Sequence, residues 1–248
     1  MTPSARIIFA AACLTLCGVG PATATYIYID TFSSPTQSLS TGVGGAATNV
    51  FDYTNSTVAV GNERELLLVR TNETTGVPMT SIVASSLSNG ITYATPANGL
   101  GYVRAIYDGV DASSNLNFSG LASLDLTDGG NNDRFQIRGG ADVSNGFFIV
   151  TVYSSASDYS QQVLPVPANT FLESAFTNFY FTFTGMTDFG NGANFEDVNA
   201  IVLELNGLSQ PGIDFRLNLF VAIPEPSGWW PAAGLAAVVL LRRRLTRK

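Results

Sequence analysis

The chain has no histidine, and its only cysteines, Cys13 and Cys17, both sit close to the N-terminus. Its single lysine, Lys248, is the last residue, and both tryptophans, Trp229 and Trp230, lie near the C-terminus. The long central stretch therefore lacks the side chains needed for Ser-His-Asp or Cys-His catalysis, for Schiff-base chemistry and for imidazole-bound zinc. It also has no cysteine to form a disulfide, so packing alone must stabilise it.

The two ends read as processing signals. Arg6 is followed by Ile7, Ile8, Phe9 and the small-to-apolar run from Ala10 to Leu16, and the segment closes on Ala22-Thr23-Ala24. A positive start, a short apolar stretch and a small-x-small ending are what signal peptidase reads, so cleavage is expected after Ala24, with Ala22 and Ala24 as the recognised small residues. The apolar run falls short of the ~20 residues that a spanning helix needs, which makes a retained anchor the weaker reading. Leu14-Thr15-Leu16-Cys17 is like a lipobox, but bulky Leu16 replaces the small residue wanted before an acylated cysteine.

Charge changes on processing. The whole chain has 12 basic and 19 acidic residues. Taking away Arg6, Arg242, Arg243, Arg244, Arg247 and Lys248 leaves six arginines against 19 acids, Glu225 of the C-terminal segment included, a net charge of −13. Nucleic acid and anionic lipid are bound through Lys and Arg, so a domain this acidic argues against both as partners.

The C-terminal segment has three zones. Pro224-Glu225-Pro226-Ser227 is followed by the mainly apolar stretch from Gly228 to Leu241 and then by Arg242-Arg243-Arg244. The prolines favour an extended backbone that a processing enzyme could grip. The apolar stretch reads as a short hydrophobic helix, with Trp229 and Trp230 at one membrane interface and the arginines at the cytoplasmic one. An ordinary single-span anchor is the plainer alternative. The order of the zones resembles the PEP-CTERM sorting domain. That resemblance implies a Gram-negative bacterium, exosortase processing at the Pro-Glu-Pro region, transient contact with the inner membrane, and a destination in the envelope, at the cell surface or in an exopolysaccharide matrix. Three segments are similar to stretches common in the exported bodies of such proteins: Gly61 to Leu66, Gly120 to Gly130 and Phe195 to Ile201. The resemblance supplies no catalytic residue. It gives three parts: a signal peptide at 1–24, a domain at 25–222 and a sorting segment at 223–248.

The central domain reads as all-β. Gly, Ser, Thr, Asn and Asp clusters punctuate short stretches of alternating apolar residues. Phe179, Phe181 and Phe183 would share one face, as would Ile213, Phe215, Leu217, Leu219 and Val221. Further strands are expected at 26–29, 65–71, 101–107, 134–138, 147–153 and 200–205. Eight or more strands without a short repeat favour a two-sheet antiparallel sandwich of jelly-roll type.

For chemistry, carboxylates remain. Asp125, Asp128 and Asp133, or Glu196 and Asp197, could in principle pair as in a glycosidase, but acids beside Gly and Asn more simply form turns. The stretch from Asp188 to Asp197 concentrates oxygen donors, and Asp188, Asn191, Asn194, Glu196 and Asp197 are the candidate ligands for a calcium ion. No other cofactor is implied. Tyr53, Tyr93, Tyr102, Tyr107, Tyr153 and Tyr159 could stack on sugars, although alternation within strands favours packing roles for most of them. The sequons at Asn55, Asn72 and Asn117 are the chance product of an Asn/Thr-rich surface. The expected function is that of a non-catalytic surface or matrix protein associated with exopolysaccharide or biofilm. Its alternatives are a lectin-like carbohydrate-binding module and, further off, a carboxylate-dependent glycosidase.

Overall fold

In a computed structural model the described residues are 25–33, 35–41, 48–73, 83–87 and 90–224. They form fourteen strands: β1 Ile27–Asp30, β2 Gln37–Ser40, β3 Thr48–Asn55, β4 Glu63–Glu73, β5 Val83–Leu87, β6 Gly90–Ala94, β7 Gly99–Tyr107, β8 Asn132–Ala141, β9 Gly146–Tyr153, β10 Tyr159–Val166, β11 Thr177–Thr182, β12 Thr187–Phe189, β13 Ala200–Asn206 and β14 Phe215–Pro224. All pair antiparallel, in two seven-stranded sheets. The first sheet runs β11-β8-β14-β6-β5-β2, and β1 pairs β14 beyond the end of β6. The second runs β12-β10-β9-β13-β7-β4-β3. The expected all-β sandwich is borne out. Among the described residues no helix is long and apolar enough to cross a membrane.

The core lies between the sheets and is strongly aromatic. Phe148 of the second sheet meets Phe179 and Phe215 of the first, with ring centroids 5.0 and 5.7 Å apart. Tyr107 meets Phe220, which in turn meets Phe135. Alternation accounts for this layer: in β9, Phe148, Val150 and Val152 point inward, and Phe147, Ile149, Thr151 and Tyr153 therefore point outward. Phe179, Phe181 and Phe183 do share the buried face, although Phe183 already belongs to a 3-10 turn.

β14 departs from the expected alternation. A register irregularity between Leu217 and Leu219 inserts an extra residue against β8, so the inward phase switches from Phe215 and Leu217 to Phe220 and Ala222. Leu219 and Val221 thus fall outside the core cluster that simple alternation would assign them to.

A charged group sits within this apolar layer. The Arg64 guanidinium and the Asp30 carboxylate are both fully buried, with Nη1 2.9 Å from Oδ2. Arg64 Nε donates to Gln37 Oε1 at 2.7 Å, and Nη2 donates to the Pro35 carbonyl at 2.6 Å and to Ser86 Oγ at 2.9 Å. Asp30 also accepts from the Phe32 amide and the Tyr107 hydroxyl. Burial pushes the Asp30 carboxyl upward, and Arg64 opposes that shift. Each polar group here replaces a lost water contact, which is what makes such a cluster tolerable inside a core. It joins β1, β2, β4, β5 and β7 across the two sheets.

Candidate functional site

The outer face of the second sheet carries the candidate site. Strand register aligns its outward side chains in rows. One row runs Val163, Ile149, Glu204, Arg104, Leu67 and Phe51; the next runs Thr187, Gln161, Thr151, Val202, Ile106, Glu65 and Tyr53. Beyond these, Phe189, Tyr159 and Tyr153 stand side by side on β12, β10 and β9.

The residues 108–131, which connect β7 to β8, fold over part of this face. The Leu121 and Leu126 side chains of this connection join the buried core cluster, and backbone hydrogen bonds fasten Leu121, Leu124 and Leu126 to Asn199, Val198 and Phe195. The approach of this segment to the sheet end is so close that a Cβ on Gly120 would lie 1.3 Å from the Asp108 carbonyl oxygen. Ser114 and Leu116 form one wall of a cleft of about 200 Å³, whose floor includes Arg104, Thr151, Tyr153, Gln161, Val202 and Glu204.

The cleft has a polar centre and aromatic ends. Arg104 Nε donates to Glu204 Oε2 at 2.6 Å, and its guanidinium lies over the Tyr102 ring at 4.8 Å. Burial acts against the Arg104 charge, but Glu204 outweighs it and raises the pKa above the usual arginine value. Gln161 donates to Thr151 Oγ1 at 2.9 Å, and Asn206 donates to Glu204 Oε1. At one end Phe118 meets Tyr153 edge-on at 5.5 Å, Tyr153 lies 5.1 Å from Tyr159, and Tyr159 stacks on Phe189 at 4.5 Å with the planes 9° apart. At the other end Phe51 and Tyr53 stack on β3. Phe189 and Tyr53 are exposed. Of the tyrosines expected to serve packing, Tyr93 and Tyr107 do so, whereas Tyr102, Tyr153 and Tyr159 line the outer face.

Four carboxylates gather at one end of the same face. Glu63 and Glu65 leave β4 on its outer side, and Asp108 and Asp111 come from the connection. One oxygen from each of Glu63, Glu65 and Asp111 lies within 4.8 Å of the others. Glu63 Oε1 accepts from the amides of Asp111 and Ala112 at 3.1 and 2.9 Å, Glu65 Oε1 from the Ser113 amide at 2.9 Å, and Asp108 Oδ2 from the Asn117 amide at 2.7 Å. Burial first, and the Asp108 charge second, push Glu65 up to about 9; burial raises Asp108 to about 6. Arg64, between the two glutamates in sequence, points to the opposite face and is committed to Asp30.

The residues singled out from sequence are distributed differently. Asp188 Oδ1 accepts from Ser160 Oγ, Asn194 Oδ1 accepts from the Glu196 amide, and the Asn191 amide and side chain both donate to Asp158 Oδ1 at 2.9 Å. The Asp197 amide bonds to the Asn194 carbonyl. These contacts hold the 188–197 loop against the β9–β10 hairpin, with Asp188, Asn191, Asn194 and Glu196 exposed. Asp125 accepts from Thr127 and Gly129, which lowers its pKa; Asp128 accepts from the Thr25 amide; Asp133 pairs with Arg134. Those three are turn and strand-end formers. Pro224 ends β14 opposite Asn132. Ala22, Ala24, Glu225, Pro226, Trp229, Trp230, Arg242, Arg243 and Arg244 lie outside the described residues.

Sequence reasoning missed the Arg104–Glu204 pair and the Glu63/Glu65/Asp108/Asp111 group. The available signal for the second was Glu63 and Glu65 two residues apart on one strand face. Nothing local ties either pair to its partner strand.

No family model matches the chain, and no curated protein matches it. Solved structures do resemble it. The family 11 carbohydrate-binding module of the cellulosomal cellulase Lic26A-Cel5E of Clostridium thermocellum aligns over 82% of this chain and 96% of its own length, at 10% identity and a TM-score of 0.40. The family 30 carbohydrate-binding module of the cellulosomal cellulase Cel9D-Cel44B of the same organism covers 82% of this chain and 99% of its own, at 12% identity and 0.42. A family 29 module, solved as a mutant with mannohexaose, covers 81% and 92%, at 8% identity and 0.37. What this chain has in common with these carbohydrate-binding modules is the all-β, two-sheet form.

Proposed function

We propose that the central domain is a non-catalytic carbohydrate-binding module that grips a neutral or cationic polysaccharide along the outer face of the second sheet. The observation that carries this reading is the cleft itself: a polar centre of Arg104, Glu204, Gln161 and Thr151 with Tyr102 beside it and Tyr153, Tyr159 and Phe189 at one end. Aromatic rings offer apolar area with little conformational freedom to lose, which suits the C–H faces of a sugar. Planar charged and amide groups between them suit its hydroxyls.

The same cleft argues against hydrolysis. A glycosidase needs two carboxyl groups across the scissile bond, and among the residues lining this cleft Glu204 alone is an acid. Its carboxylate is already held by Arg104 and Asn206. The address belongs to the proposal as well: export with loss of residues 1–24, exosortase processing at Pro224-Glu225-Pro226, and residence in an exopolysaccharide matrix. That part rests on the resemblance of the C-terminal segment to the PEP-CTERM sorting domain.

Affinity gel electrophoresis of the purified chain against a panel of neutral and cationic polysaccharides tests the binding. Retardation by at least one polymer is expected, and Arg104→Ala or Phe189→Ala should weaken it about tenfold or more without unfolding the protein. Unaltered mobility in every gel, or retardation that both variants retain in full, would reject the cleft.

A further inference from the structure

We propose that Glu63, Glu65 and Asp111, backed by Asp108, form a calcium site that clamps the segment 108–117 onto the outer face of the second sheet. The site is separate from the 188–197 loop, and it stands whether or not the cleft binds a glycan.

Two observations carry it. The first is spacing: one oxygen from each of the three side chains lies within 4.8 Å of the other two. Two oxygens bound to one calcium ion stand at most about 4.6–5.2 Å apart, from Ca–O distances of about 2.3–2.6 Å, so the spacing of the three falls in the range that a shared ion requires. The second is an unmet need for a partner. Glu63 and Glu65 are each 1% exposed, yet Glu63 Oε2 and Glu65 Oε2 are buried with no hydrogen-bond partner, as is Asp108 Oδ1. The other oxygen of each glutamate is already taken by backbone amides of 111–113. Those amides align the carboxylates and leave one oxygen of each open. Acids crowded in this way must gain a cation or retain a proton, because a buried, unpaired carboxylate is costly.

The donor set is all oxygen, as a hard cation requires. Carboxylates from β4 and from the connection would be drawn to one ion, which ties the start of the connection to the sheet. Ser114 and Leu116 follow directly in the chain and form the cleft wall. A cation here would therefore set the shape of the cleft from outside it.

The test uses the full-length chain, stripped with a chelator and titrated with CaCl2 at pH 8 by calorimetry, with thermal unfolding recorded in parallel. One saturable site and a higher unfolding temperature in CaCl2 are expected. Glu65→Gln and Asp111→Asn should each weaken binding tenfold or more, and Glu65→Gln should unfold in chelator no earlier than the wild type, because it removes a buried carboxyl that must keep its proton when no cation is present. Asp188→Ala should bind as the wild type does. A flat titration of the folded protein would overturn the site. So would binding that survives both Glu65→Gln and Asp111→Asn but disappears in Asp188→Ala.

Discussion

Replacing Arg64 by methionine removes the charge from the centre of the sandwich and keeps most of the volume of the side chain. Four hydrogen bonds disappear: those to Asp30, Gln37, the Pro35 carbonyl and Ser86. Asp30 is left fully buried with only the Phe32 amide and the Tyr107 hydroxyl as partners. Breaking a buried ion pair on one side costs about 3–5 kcal/mol, mostly through the charge left behind. A domain of this size has a total stability of only about 5–15 kcal/mol, so much of it should be lost. With a urea dependence of about 2 kcal/mol per molar, the midpoint should fall by roughly 1.5–2.5 M. Asp30→Asn combined with Arg64→Met removes the stranded charge and should recover at least about 1 kcal/mol of the single-variant loss. Equilibrium urea unfolding, followed by intrinsic tyrosine fluorescence, measures both. A loss below about 1 kcal/mol for Arg64→Met, or a double variant no more stable than Arg64→Met, would refute the view that this pair anchors β1 and β2 to the second sheet.

Two further predictions concern the acidic end of the face and the chain termini. In chelator, Glu65 holds its proton in the folded state up to about pH 9, whereas the unfolded chain releases it near the ordinary glutamate value of 4.5. Between those limits folding retains a proton, so this group's contribution to stability falls as pH rises, by up to about 1.4 kcal/mol per pH unit. Glu63 from β4, and Asp108 and Asp111 from the connection, are the charges that face it. The stability advantage of Glu65→Gln over the wild type should therefore widen from pH 5 to pH 8, and a constant difference would contradict the assignment. For the address, intact-mass analysis of protein recovered from its native host should find residues 1–24 absent and the chain cut near Pro224-Glu225-Pro226; both termini intact in cytosolic material would reject export and sorting.

Much of the fold could be read from alternation because the central strands are apolar on the inward side. β7, β9, β11 and β13 were all expected within a residue or two of where they lie. β2, β3, β5, β6, β10 and β12 were not expected. Gln37–Ser40 has one apolar residue in four, Thr187–Phe189 is three exposed residues, and Tyr159–Val166 has Ser160, Gln161 and Gln162 in its first half. Strands near sheet edges, or with a solvated face, are specified by pairing more than by their own composition. The bulge in β14 was hidden for a related reason, since Leu217, Leu219 and Val221 keep alternating in sequence after the backbone has changed phase. The site was harder to read because it is made by register. Arg104 and Glu204 are one hundred positions apart and meet because β13 pairs β7. Glu65 and Asp111 meet because β4 pairs β7 and the chain then turns back over their shared end.

The most direct test of the account is a map of where a polysaccharide fragment touches the folded protein. Backbone and side-chain NMR shifts, followed during titration with an oligosaccharide of a retained polymer, should move together at Tyr102, Arg104, Tyr153, Tyr159, Gln161 and Glu204. The outward side chains of the first sheet, such as Tyr180 and Gln136, should stay still. Shifts concentrated on the first sheet instead, or a spectrum unchanged at saturating sugar, would contradict a glycan-binding role for the outer face of the second.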